Sequence, residues 1–110
     1  MNLDIQARGF TLTEALAMAV RRETRGLPAD EVRRLQVRLF DINGLRGGLD
    51  KGCLVALYIK GAQRVVIASG LDSDLYRAIP AAFDKLRRAM KASARRACDM
   101  RRSRQHRPAN

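Results

Sequence analysis

Cys53-Leu54-Val55-Ala56-Leu57-Tyr58-Ile59-Lys60, then Gly61-Ala62-Gln63, then Arg64-Val65-Val66-Ile67-Ala68-Ser69 is the stretch on which the fold turns. Two apolar runs rich in strand-forming residues are separated by three residues that begin with glycine. That spacing closes an antiparallel hairpin and is too short for the crossover that a parallel pair needs.

Downstream, Ser73 or Asp74 caps a final helix whose Leu75, Ile79, Ala82, Phe83, Leu86 and Met90 recur at helical spacing and form its buried stripe. Pro80 lies inside it, removes one backbone hydrogen bond and predicts a kink. Beyond Met100 the chain has no apolar periodicity and its like charges repel, so residues 101–110 are expected to form a basic, disordered tail to a single domain of residues 1–100.

Upstream of the hairpin, Asn43-Gly44-Leu45-Arg46-Gly47-Gly48 reads as a loop or wide hairpin. Before it, Leu35, Val37 and Leu39 alternate with Arg34, Gln36, Arg38 and Phe40 in a strand that ends near Ile42. Gly26-Leu27-Pro28 stops a first helix that Thr11 or Thr13 caps, with Glu14 at the capping-box distance from Thr11 and Leu12, Leu16, Ala19 and Val20 on its apolar side. Leu3, Ile5 and Ala7 alternate with polar residues in a first strand. The order strand, helix, three strands, helix predicts the α+β class: a four-stranded, mostly antiparallel sheet with two helices on one face. No internal repeat interrupts it.

A chain of 110 residues, 46% hydrophobic and 30% charged, has the size and composition of one globular domain. Its longest apolar runs, Ala15 to Val20 and Cys53 to Ile59, fall far short of the roughly 20 residues of a membrane span. The first residues carry neither a basic flank nor an apolar stretch, so no secretory signal is read and a cytoplasmic location is expected. Cys53 and Cys98 lack the spacing of a zinc site and read as free thiols, Cys53 as a small core residue.

The formal net charge is +11, the electrostatic footprint of a nucleic-acid binder. Its location is more telling, since residues 85–107 hold ten lysines and arginines against the single acid Asp99. Advancing about 100° per residue along the last helix places Arg77, Arg88, Lys91 and Arg95 opposite its apolar stripe. A merely solvated face mixes signs, as pairing across one helical turn favours; closely spaced cations neutralise adjacent phosphates and release counterions. Arg21, Arg22 and Arg25 repeat the pattern at the end of the first helix, where cations also suit the helix dipole.

The glycine-rich loop from Asn43 to Lys51 lacks the Gly-Lys-Ser/Thr of a phosphate loop, and a strand rather than a helix follows it, so it reads as a connector with Arg46 and Lys51 as possible RNA contacts. His106 is the only histidine and falls in the expected tail, which leaves no ordered acid-base partner for a nucleophile. Asp72 and Asp74 suit helix capping better than paired acid-base work. Few aromatics are available to stack bases, so folded RNA read through its phosphates is favoured over single strands. No enzyme activity, cofactor, metal or small-molecule substrate is expected.

Thr13-Glu14-Ala15-Leu16 opening the first helix, and Asp74-Leu75-Tyr76-Arg77-Ala78-Ile79 followed by Asp84-Lys85-Leu86, resemble the ribosome hibernation-promoting factor family, which includes the ribosome-associated inhibitor A proteins. The resemblance spans about residues 1 to 96 and is strongest over residues 74 to 91. It implies a fold similar to double-stranded-RNA-binding domains and a site on the small ribosomal subunit, in the channel used by messenger and transfer RNA, where occupancy blocks translation and preserves idle ribosomes. It also implies that Lys85, Arg88 and Lys91, and more loosely Arg22 and Arg25, contact ribosomal RNA phosphates. Pro80 stands where the family usually has an acidic residue. The extra C-terminal domain of the long form is not seen, so self-driven pairing of ribosomes is not expected.

The expected function is therefore a short-form hibernation factor, monomeric when free, bound to the small subunit and its ribosomal RNA. The expected contacts are Lys85, Arg88, Lys91, Arg95, Arg77, Arg22, Arg25, Arg46 and Lys51. The alternatives are a general structured-RNA-binding module or RNA chaperone with no preference for ribosomes, and an enzyme that uses the glycine-rich loop for a nucleotide.

Overall fold

The computed structural model describes the backbone of residues 1–42 and 50–105 and the side chains of residues 1–42 and 50–92. The elements run β1 (Asn2–Arg8), α1 (Glu14–Thr24), β2 (Val32–Asp41), β3 (Lys51–Ile59), β4 (Val65–Asp72) and α2 (Leu75–Gln105). The strands form one sheet in the order β1-β2-β3-β4, with β1 parallel to β2 and the other neighbours antiparallel. This is the predicted β-α-β-β-β-α arrangement, and both helices pack on the same face of the sheet.

Period-two alternation sets that face. Leu35, Val37 and Leu39 of β2 pair with Leu57, Val55 and Cys53 of β3, and all six are fully buried. Leu3, Ile5 and Ala7 extend the same rows across β1. From α2, Leu75, Ala78, Ile79, Ala82, Phe83 and Leu86 close over these rows, and Leu16 and Val20 of α1 complete the core. Burying a side chain such as Phe83 or Leu35 contributes about 1.5–3 kcal/mol, which is what fixes the register against a one-residue slip. Gly70 permits the close approach of α2 to β4: a Cβ there would stand 2.7 Å from the Ala78 carbonyl oxygen and 2.8 Å from the Ala82 nitrogen.

The helix starts resolve the capping alternatives. Thr13, not Thr11, caps α1, its hydroxyl accepting from the Leu16 N–H at 3.2 Å. Asp74 caps α2 by accepting from the Tyr76 N–H at 3.0 Å, and Asp72 accepts from the Asp74 N–H at 3.1 Å. At its far end α2 continues to Gln105, five residues into the stretch read from sequence as a disordered tail. A helix already nucleated by packing propagates at one hydrogen bond per residue, which offsets repulsion between neighbouring arginines. The helix also runs on through Pro80, which lies on its exposed side. Among the described residues no helix is long and apolar enough to cross a membrane.

Candidate nucleic-acid interface

The cations of α2 sort by what lies beside them. Arg77, Lys85 and Lys91 are exposed and have no ion-pair or hydrogen-bond partner among the described residues. Arg88 is exposed too, but its guanidinium contacts Asp84 at 3.2 Å one turn back. Arg87 turns toward α1: its Nη2 donates to the Glu23 carboxylate at 2.8 Å and to the Glu23 carbonyl oxygen at 3.1 Å. Arg87 therefore clamps the end of α1 onto the middle of α2, beside Gly26, whose Cβ position is 3.3 Å from the Arg87 guanidinium.

Arg21, Arg22 and Arg25 stand exposed around that clamp, Arg21 and Arg22 in the last turn of α1 and Arg25 at its C-cap. The clamp joins the two helices that carry these exposed cations. Of the nine contacts read from the sequence, Arg77, Lys85, Lys91, Arg22 and Arg25 are exposed and unpaired here. Arg88 is shared with Asp84. Arg46 and the Arg95 side chain lie outside the described residues.

Lys51 is placed differently from its sequence reading. Its ammonium lies 3.8 Å from Asp41 and 3.7 Å from Asp50, and it is only 26% exposed. Asp50 is fully buried, with no hydrogen-bond partner for its carboxylate among the described residues. An isolated buried carboxylate is costly, so Lys51 compensates an internal charge at the mouth of the β2–β3 hairpin instead of presenting its own charge to solvent.

Four arginines lie on the sheet face opposite the helices, where sequence reading placed no contacts. Arg8, Arg34 and Arg38 fall there by strand alternation, and a bulge between Val32 and Arg34 brings Arg33 to the same side. Arg33 and Arg34 approach the Tyr58 ring at 5.9 and 6.0 Å. Arg34 also reaches Asp4 at 3.6 Å. The signal was present in the alternation of Arg34 and Arg38 with Leu35, Val37 and Leu39.

Nothing among the described residues gathers a metal site. Cys53 is buried and desolvation pushes its thiol up to about 12, the opposite of what a nucleophile needs.

A basic helix surface joined by an ion-pair clamp, on a β-α-β-β-β-α frame, defines a class of small basic α+β domains. The chain belongs to the family described as Sigma 54 modulation protein / S30EA ribosomal protein, which matches its residues 3–97. It is similar in fold to a ribosomal subunit interface protein from Coxiella burnetii, with a TM-score of 0.69 at 18% identity over 86% of this chain and 99% of that one. It is also similar to the N-terminal domain of Protein Y from Thermus thermophilus, with a TM-score of 0.58 at 24% identity over 78% of this chain and 91% of that one. No curated protein sequence matches the chain.

Proposed function

We propose that this chain is a ribosome-associated translation inhibitor of the hibernation type, which binds small-subunit ribosomal RNA in the channel for messenger and transfer RNA and blocks translation by occupancy. The observation that carries the reading is the family match over residues 3–97, which spans both the α1 cations and the α2 stripe. The solved relatives support it, one of them bearing the name of a ribosomal subunit interface protein. Lys85, Lys91, Arg77, Arg22 and Arg25 are the phosphate contacts of this reading. Arg88 joins them once it exchanges Asp84 for a phosphate, and Arg95 is included on the sequence reading alone. The action is steric, without catalysis or cofactor, by a protein that is cytoplasmic and monomeric when free.

Sedimentation of extract from starved cells is the test. The protein is expected to travel with ribosomes at low salt, and purified protein is expected to stop synthesis in a translation assay. Protein left at the top of the gradient would overturn the ribosomal reading. Equal affinity for unrelated duplex RNA and for ribosomes would favour a general RNA-binding module instead. Log affinity is expected to fall with log salt by about 0.7 to 0.9 per phosphate engaged.

A further inference from the structure

The face of the sheet away from the helices is built in two halves. On β1 and β2 it carries Gln6, Arg8, Gln36, Arg38 and Phe40; on β3 and β4 it carries Leu54, Ala56, Tyr58, Ile67 and Leu71. Ile67 and Leu71 are 62% and 54% exposed. The register sets two rows side by side. One runs Gln6, Arg38, Leu54, Ser69, and the next runs Arg8, Phe40, Gly52, Leu71.

Where the rows meet, an open depression of about 710 Å³ is lined by Gln6, Arg8, Arg38, Phe40, Asp41 and Leu54 among others. The Phe40 ring lies over Gly52, where any Cβ would collide with it, so glycine fixes the ring against the sheet. Arg8 and Arg38 have no ion-pair or hydrogen-bond partner among the described residues. Asp41, the one acid among the described lining residues, lies 3.8 Å from the Lys51 ammonium.

Two uncommitted guanidinium groups beside a fixed aromatic ring and an apolar floor match a ligand that joins anionic groups to flat apolar ones. That is the chemistry of unstacked nucleotides: phosphates take the arginines and bases take Phe40 and Leu54. A duplex does not fit, because its bases are stacked inward and offer only backbone to a depression with an apolar floor. We propose that this face binds a short single-stranded RNA segment, through Arg8, Arg38 and Phe40. The site lies on the opposite side of the sheet from the helix cations, and it stands whether or not those cations dock on the ribosome.

The test measures fluorescence anisotropy of labelled hexauridylate, and of a labelled RNA duplex of about sixteen base pairs, with the full chain. Three proteins are compared: wild type, Arg8→Gln with Arg38→Gln, and Lys85→Gln with Lys91→Gln, the two double variants losing the same charge. The sheet-face variant is expected to lose roughly tenfold in affinity for hexauridylate and less than about twofold for the duplex, with the helix-face variant showing the reverse order. Phe40→Leu is expected to weaken hexauridylate binding severalfold at unchanged charge. Equal losses from the two double variants would mean that net charge alone attracts the oligonucleotide and would overturn the proposal. So would wild-type affinity in the sheet-face variant, or displacement of hexauridylate by an acidic peptide at the same concentration as by unlabelled RNA.

Discussion

Arg87 and Glu23 lie 64 residues apart and meet through two hydrogen bonds from a single Nη2, one to the Glu23 carboxylate at 2.8 Å and one to its backbone carbonyl at 3.1 Å. The second bond adds to a carbonyl in the last turn of α1 that also accepts from the Gly26 N–H at 3.4 Å. A residue within the most basic stretch of the sequence thereby serves as a structural tie. Arg87→Ala is expected to lower unfolding stability by about 2 kcal/mol, and Glu23→Gln by less, since the carbonyl contact survives it. Urea denaturation checks this, and an unchanged midpoint for Arg87→Ala would show that α1 docks without the clamp.

Lys51 is expected to affect stability far more than RNA affinity. Lys51→Met leaves the buried Asp50 carboxylate without its counter-charge and should cost about 3 kcal/mol. Adding Asp50→Asn removes the stranded charge and should restore a good part of the loss. If Lys51→Met instead melted like wild type but weakened RNA binding severalfold, the ammonium would be a contact rather than a compensator.

Asp84→Asn is expected to strengthen RNA binding at low salt by a fewfold. The carboxylate sits 3.2 Å from the Arg88 guanidinium on the exposed side of α2, where it both occupies a cation and repels phosphate. Stability should change by under about 0.5 kcal/mol, since exposed pairs one turn apart contribute little. The gain should vanish at high salt; a gain that persists there would argue against an electrostatic origin.

Cys53 makes stability depend on alkaline pH. Its thiol is raised from 9.0 in the unfolded chain to about 12 in the folded one by desolvation. The unfolded chain therefore loses this proton first, and the stabilisation, complete below pH 9, declines as pH rises toward 12, by about 4 kcal/mol if the whole interval is crossed. Denaturation series at rising pH should show this decline, reduced in Cys53→Ala. Thiol reagents at neutral pH should leave Cys53 unmodified until the protein is unfolded.

Which side chains of α2 are buried and which exposed was legible because a single helix carries them. Periodicity alone places Leu75, Ile79 and Leu86 opposite Arg77, Arg88 and Lys91, and the structure buries the first three and exposes the last three. Pairing across the fold was not legible. The 100° step leaves Arg87 off the stripe that holds Arg88, but nothing in its neighbourhood names Glu23, 64 residues away, as its partner. The ion pairs of Lys51 were not legible for a similar reason: its charge is visible in sequence, whereas the burial of Asp50 beside it is not.

What the sequence determined by itself is the order of the elements and the identity of the core, because both depend on local periodicity: a short turn, residues 60–64 in the structure where three residues were expected, closes the β3–β4 hairpin, and apolar residues at alternating or helical spacing must share one side. The tertiary structure decided which charges are free. It set Lys51 between two carboxylates, turned Arg87 inward, and lined up Arg8 of β1 with Arg38 and Phe40 of β2 around one depression. A charge acts according to its neighbours in space, and those neighbours come from segments that only the folded sheet and helices bring together.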